Sequence, residues 1–195
     1  MHIYIHGFSS SGNATKGRIL KEFLQGKEQV LTPDIPDEPF EAVKTIEKLI
    51  IESNEPVTLW GSSLGGFYAL YFSAVSNLKA VLINPTIKPW RDLKPLVGRV
   101  KRHNSDERFE WKKEYITQLE TLGGEIEIEN IIPGNLTLLL AEDDKTLNHK
   151  EALEFLDGHY GKLILEKNSG HEFLTFNEVL YRDFKELLQK RNLSL

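Results

Sequence analysis

Six short runs of aliphatic and β-branched residues alternate along the chain with stretches of helical periodicity, and that alternation limits the folds open to it. The runs are 2–6 (HIYIH), 29–32 (QVLT), 56–60 (PVTLW), 78–84 (LKAVLIN), 135–141 (NLTLLLA) and 162–166 (KLILE). Most are apolar throughout rather than at every second position, as expected of strands covered on both faces of a parallel sheet. Between them, Ile19, Leu20, Phe23 and Leu24 form one helical stripe, and Val43, Ile46, Leu49 and Ile50 form another. A last helix is predicted to open on a capping box from Thr175 to Glu178 and to bury Leu180, Phe184, Leu187 and Leu188. An α/β architecture follows, with helices on both faces of the sheet.

The length of 195 residues suits one domain. One connection is far longer than a βα unit needs: residues 85–134, with Trp90 and Trp111, read as a cap inserted over one end of the sheet, helical around 109–122. With 40% hydrophobic residues the chain can bury a large core, so intrinsic disorder is excluded. A net charge of -5 is the wrong sign for a general binder of nucleic acid or anionic membrane. The absence of cysteine rules out disulfides, thiolate zinc sites and a thiol nucleophile. MHIYIHGFSS has neither a basic leader nor a long apolar run, and no stretch of ~18 apolar residues follows, so no membrane span and a cytoplasmic location are expected.

The strongest local signal is WGSSLGG at residues 60–66. Gly61, Ser63 and Gly65 make a GxSxG directly after an apolar run and before FYALYFSA, the context a nucleophile elbow requires. A serine at the tip of a tight strand-to-helix turn needs neighbours without side chains, and glycine supplies them on both sides. The competing reading is a glycine-rich turn or a phosphate cradle at a helix N-terminus.

A serine hydroxyl needs a base. Among the six histidines, His171 lies in NSGHEF, between the last strand and the last helix, at the sheet edge where Ser63 also falls. The alternative is a loop histidine in solvent. His2, His103, His149 and His159 read as surface or packing residues. The imidazole in turn needs a carboxylate to fix its tautomer. AEDDKTL, after the fifth strand, offers Glu142, Asp143 and Asp144; Asp144 is favoured because Leu147 can anchor the returning helix, and Asp143 stays open. Two N–H donors for an oxyanion are expected from Phe8, after the first strand, and Leu64, after the serine. His6 is read as fixing that first loop by a hydrogen bond.

Residues 88–102 carry Lys88, Arg91, Lys94, Arg99, Lys101 and Arg102 against Asp92 alone. Trp90, Arg91 and Lys94 are therefore candidate substrate contacts, an apolar wall beside a positive rim, suited to an acyl-CoA or another anionic ester. The alternative is a solvated amphipathic segment.

The first-strand HGF, the elbow GSSLGG, the NP after the fourth strand, the DxxL acid loop and the GHxF histidine loop together resemble the small bacterial α/β-hydrolases of the YqiA-like esterase family. The acid loop carries Asp-Asp where that family would have Gly-Asp. The resemblance implies an α/β-hydrolase fold with strand order 2-1-3-4-5-6, and a triad of Ser63, Asp144 and His171. It also implies esterase or thioesterase activity on a small acyl ester or thioester, with no metal or organic cofactor. A non-catalytic binding protein on the same fold is the alternative from a different class.

Overall fold

A computed structural model describes residues 1–189. The chain runs β1 (His2–Ile5), α1 (Thr15–Phe23), β2 (Val30–Leu31), α2 (Pro39–Ile51), β3 (Thr58–Ser62), α3 (Leu64–Ser76), β4 (Lys79–Ile83), α4 (Pro89–Asp92), β5 (Gly98–Lys101), β6 (Arg108–Trp111), α5 (Lys113–Gly124), β7 (Leu136–Ala141), α6 (His149–Leu156), β8 (Lys162–Glu166) and α7 (Phe176–Asp183). The main sheet has the order β2-β1-β3-β4-β7-β8, the expected order once the separate β5-β6 pair is set aside. Every pairing within it is parallel.

Alternate residues of the apolar strands feed two cores. Ile3, Ile5, Leu59, Leu82, Leu138 and Leu140 point to one face, where α2, α3 and α6 add Ile46, Phe67, Leu70 and Leu156. Tyr4, Trp60, Val81, Ile83 and Leu139 point to the other, covered by Leu20 and Phe23 of α1 and by Phe176 and Leu180 of α7. This two-sided cover is why the strands read as unbroken apolar runs. Helix α3 is central and buried on all sides, which suits a helix apolar around its whole circumference. No helix among the described residues is long and apolar enough to cross a membrane.

Two local expectations are corrected. The predicted helix at 109–122 begins only at Lys113; before it, Gly98–Lys101 and Arg108–Trp111 form an antiparallel hairpin. Val100, Phe109 and Trp111 turn inward while Arg99, Lys101, Arg108 and Glu110 face solvent, a period of two that the charged flanks mask. The expected capping box is also absent. Thr175 stands at the N-cap of α7, but its hydroxyl bonds Ser169 Oγ at 3.0 Å instead of a helix N–H. The helix ends at Asp183, and Leu187 and Leu188 lie in a following 3-10 turn.

Between β4 and β7 the insertion lies on the loops that follow β1 and β2. Phe8 packs edge-on against Trp111 at 4.8 Å and Phe109 at 5.7 Å. The His103 N–H donates to Ser9 O at 2.8 Å. Arg102 grips Asp37 in a two-pronged pair at 2.7 and 2.6 Å while its guanidinium lies over the Phe109 ring. Because the six strands are parallel, the loops after β1, β3, β4, β7 and β8 gather at this same edge.

Candidate active site

Strand β3 runs into α3 through Ser63, whose backbone adopts φ +53° and ψ −116°. The turn is possible only because its neighbours lack β-carbons. A β-carbon on Gly61 would fall 2.1 Å from Gly65 O, and one on Gly65 would fall 2.1 Å from Ile5 O. The glycines of GxSxG thus let β1, β3 and α3 approach to backbone contact. Gly7 faces the serine with more room: a β-carbon there would lie 3.3 Å from Ser63 Cβ and 3.9 Å from its Oγ. Ser63 itself stays partly accessible.

His171 and Asp144 meet. The imidazole Nδ1 lies 2.8 Å from Asp144 Oδ2, and the carboxylate side chain is only 1% exposed. Asp144 Oδ1 accepts the N–H groups of Thr146 and Leu147 at 2.8 and 2.9 Å, which closes the acid loop on its own backbone. Burial pushes the Asp144 carboxyl up, but the His171 bond and the two N–H donors outweigh it and hold the group below the usual carboxylate range. With Nδ1–H donating to an ionised carboxylate, Nε2 is left as the acceptor.

Asp143 has a separate place. Its Oδ1 accepts the N–H groups of Ser169 and Gly170, each at 3.0 Å, and these bonds lower its pKa while fixing the start of the histidine loop. Glu142 is exposed.

Two residues that the sequence reading left without a role hold the same loop. Asn84, just past β4, accepts the Ala141 N–H at 2.8 Å and donates through Nδ2 to the carbonyls of Gly170 and His171 at 2.9 and 3.1 Å. Its chain neighbours bind the elbow: Ser63 N–H donates to Ile83 O, and Thr86 N–H donates to Ser63 O. One residue therefore connects the serine turn to the histidine loop. Its φ of +41° is a conformation that asparagine tolerates better than most residues. Lys16 of α1 is buried and donates to Glu172 O at 2.7 Å; burial lowers its pKa against the pull of Glu172.

No hydrogen bond joins the Ser63 hydroxyl to His171 among the described residues; such bonds are often long in a free enzyme and tighten with substrate. The Phe8 and Leu64 N–H groups donate to no protein acceptor among the described residues. His6 does fix the first loop: its Nε2 accepts the Ile35 N–H at 3.0 Å and its Nδ1–H donates to Gly7 O at 2.9 Å. Burial lowers its pKa and keeps it neutral in that role. His2 is packed between Trp60 and Glu28.

A model of the uncharacterised protein family UPF0227 matches residues 1–188. The chain belongs to the UPF0227 family. Among curated relatives, UPF0227 protein VV1_2072 of Vibrio vulnificus is 23% identical over 95% of this chain and 99% of its own. UPF0227 protein YcfP of Escherichia coli is 20% identical over 93% and 96%. Among solved structures, Est1E from Butyrivibrio proteoclasticus superposes with a TM-score of 0.73 at 15% identity, covering 97% of this chain and 88% of the other. A Paleococcus ferrophilus monoacylglycerol lipase gives 0.70 at 17%, covering 96% and 93%. Mouse α/β-hydrolase domain-containing protein 10 gives 0.71 at 16%, covering 97% and 89%. This UPF0227 member therefore has the α/β-hydrolase fold.

Two of the three candidate substrate contacts, Trp90 and Arg91, are engaged elsewhere in this UPF0227 chain. Trp90 packs on Phe67 at 6.3 Å and lies against α5, where a β-carbon on Gly123 would meet its ring at 2.2 Å. Arg91 is bound by Asp92 and by both oxygens of Glu151, with Lys88 also 3.9 Å from Glu151. Those carboxylates pair two of the basic groups expected to form the positive rim. Lys94 opens an exposed 3-10 turn.

Proposed function

We propose that the protein is a serine hydrolase that cleaves carboxylic esters through an acyl-enzyme. Ser63 is the nucleophile, His171 the proton shuttle and Asp144 the orienting acid. The observation that carries this reading is the 2.8 Å bond from His171 to the buried Asp144, at the sheet edge where Ser63 occupies a strained turn.

Ser63 Oγ attacks the ester carbonyl as His171 Nε2 takes its proton, forming the Oγ–C bond. The carbonyl oxygen becomes an oxyanion held by the N–H groups of Phe8 and Leu64. When the tetrahedral species collapses, the C–O bond to the leaving alcohol breaks, and His171 gives that oxygen the proton. Water then attacks the acyl-enzyme, His171 takes its proton and returns it to Ser63 Oγ, and the carboxylic acid departs. A thioester would follow the same steps with sulfur leaving. Est1E and the monoacylglycerol lipase, similar in fold, are consistent with ester chemistry at such an edge. An acyl-CoA has less in its favour, since Arg91 is already paired with carboxylates.

The test is labelling by a fluorophosphonate probe. Wild-type protein and Ser62→Ala should label and Ser63→Ala should not. Labelling that survives Ser63→Ala would remove Ser63 from the nucleophile's role.

A further inference from the structure

Beside Phe8 and Leu64 lies a small cavity of about 20 Å³, also bordered by Gly7, Asp37, Tyr68 and Trp111. Tyr68 and Trp111 are 2% and 0% exposed, yet the Tyr68 hydroxyl and the Trp111 Nε1–H have no hydrogen-bond partner among the described residues. Nearly all buried polar groups in folded proteins are bonded, so two such groups bordering one cavity call for an account. They come from different elements. Tyr68 stands one helical turn beyond Leu64 on α3 and so shares its face. Trp111 closes β6 and is pressed edge-on against Phe8 at 4.8 Å. Burial, with the Asp37 carboxylate nearby, pushes the Tyr68 phenol up, so it stays protonated and able to donate. The indole N–H can only donate.

A space of about 20 Å³ exceeds the 10–15 Å³ needed for one water-sized group by little, so it admits one or two non-hydrogen atoms. A leaving group of any size must exit towards solvent, and the part of the substrate that enters this space is the substituent on the acyl carbon. A methyl group there would leave both donors unpaired, whereas an oxygen would meet them.

We infer that this cavity is the acyl subsite and that Tyr68 and Trp111 select a short acyl group carrying a hydroxyl on the carbon next to the carbonyl, as in a glycolyl ester. The inference rests on the serine-hydrolase reading. A site that bonds a substrate hydroxyl discriminates against the analogue lacking it, because its own buried groups are then left unpaired.

The experiment compares phenyl glycolate with its isostere phenyl propionate, each kcat/KM divided by the ester's own hydroxide-catalysed rate. Wild type should favour glycolate by about tenfold or more, and the ratio should fall towards one in Tyr68→Phe and in Trp111→Phe. Tyr68→Phe should still fold, because the hydroxyl it removes bonds no other described residue. A ratio near one in wild type, or a ratio undiminished in either variant, overturns the inference. If the fluorophosphonate labels Ser63 while wild type shows no preference, the subsite alone fails. If no labelling and no ester turnover occur, the hydrolase reading fails and the subsite with it.

Discussion

Ser63 holds φ +53° and ψ −116°, backbone that costs a residue with a β-carbon about 1–3 kcal/mol. Glycine reaches that region without the penalty, although its freer unfolded chain returns ~0.4–1 kcal/mol of the gain. Ser63→Gly should therefore melt above wild type, by ~2–4 °C per net kcal/mol recovered, while losing acylation; Ser63→Ala keeps the strain and should melt with wild type. Equal melting temperatures for the two variants would mean that the turn stores no strain. At the acid loop the adjacent aspartates separate by partner. Asp144→Asn loses the charge facing His171 and should lower kcat by up to ~10⁴. Asp143→Asn keeps an oxygen for the N–H groups of Ser169 and Gly170 and should stay within about tenfold of wild type. Steady-state kinetics on one ester ranks them, and the reverse order would shift the acid by one residue.

At the scale of elements, the histidine loop between β8 and α7 is held by side chains from three other places: Asp143 after β7, Asn84 after β4 and Lys16 in α1. Asn84 is 3% exposed, and Asn84→Ala would orphan the Ala141 N–H and release two carbonyls of the loop. Leaving such groups unpaired costs roughly 1–3 kcal/mol, and a shift of about 1 Å in a catalytic group costs ~10² in rate. Asn84→Ala should thus lower kcat by about 10² with KM little changed, in a protein that still folds. An unaltered kcat would show that the loop keeps its place without Asn84.

For the whole molecule, acid should act in part through the same loop. The carboxyls of Asp143 and Asp144 both lie below their ordinary range in the folded chain. A depressed carboxyl adds stability that is complete above its unfolded value, near ~3.9, and is lost as pH falls through the folded value, because the unfolded chain binds the proton first. Urea midpoints should therefore drop between pH 4 and pH 3, and drop less in Asp143→Asn, which has no proton to take up there. Parallel curves for the two proteins would place the acid sensitivity elsewhere.

The parallel sheet, the elbow and the chain order of serine, acid and histidine were legible because each is written locally: in apolar runs, in glycine spacing, and in loops that follow strands. Strand order was implied by the family resemblance alone, since apolar runs buried on both faces fit more than one order. The hairpin at Gly98–Trp111 was not legible, since four charged outward residues hide its inward Val100, Phe109 and Trp111 until the Phe8 loop is there to receive them. Thr175 carried a capping signal that Ser169 redirected, because a hydroxyl bonds whichever partner the fold brings nearest. Which acids reach Arg91, which aspartate faces His171, and what Asn84 holds are pairings between residues distant in sequence. The amino-acid sequence alone determined which elements form and which chemical groups reach one edge; only the tertiary structure decided which of those groups touch, because contact depends on how separate elements pack and not on the composition of any one of them.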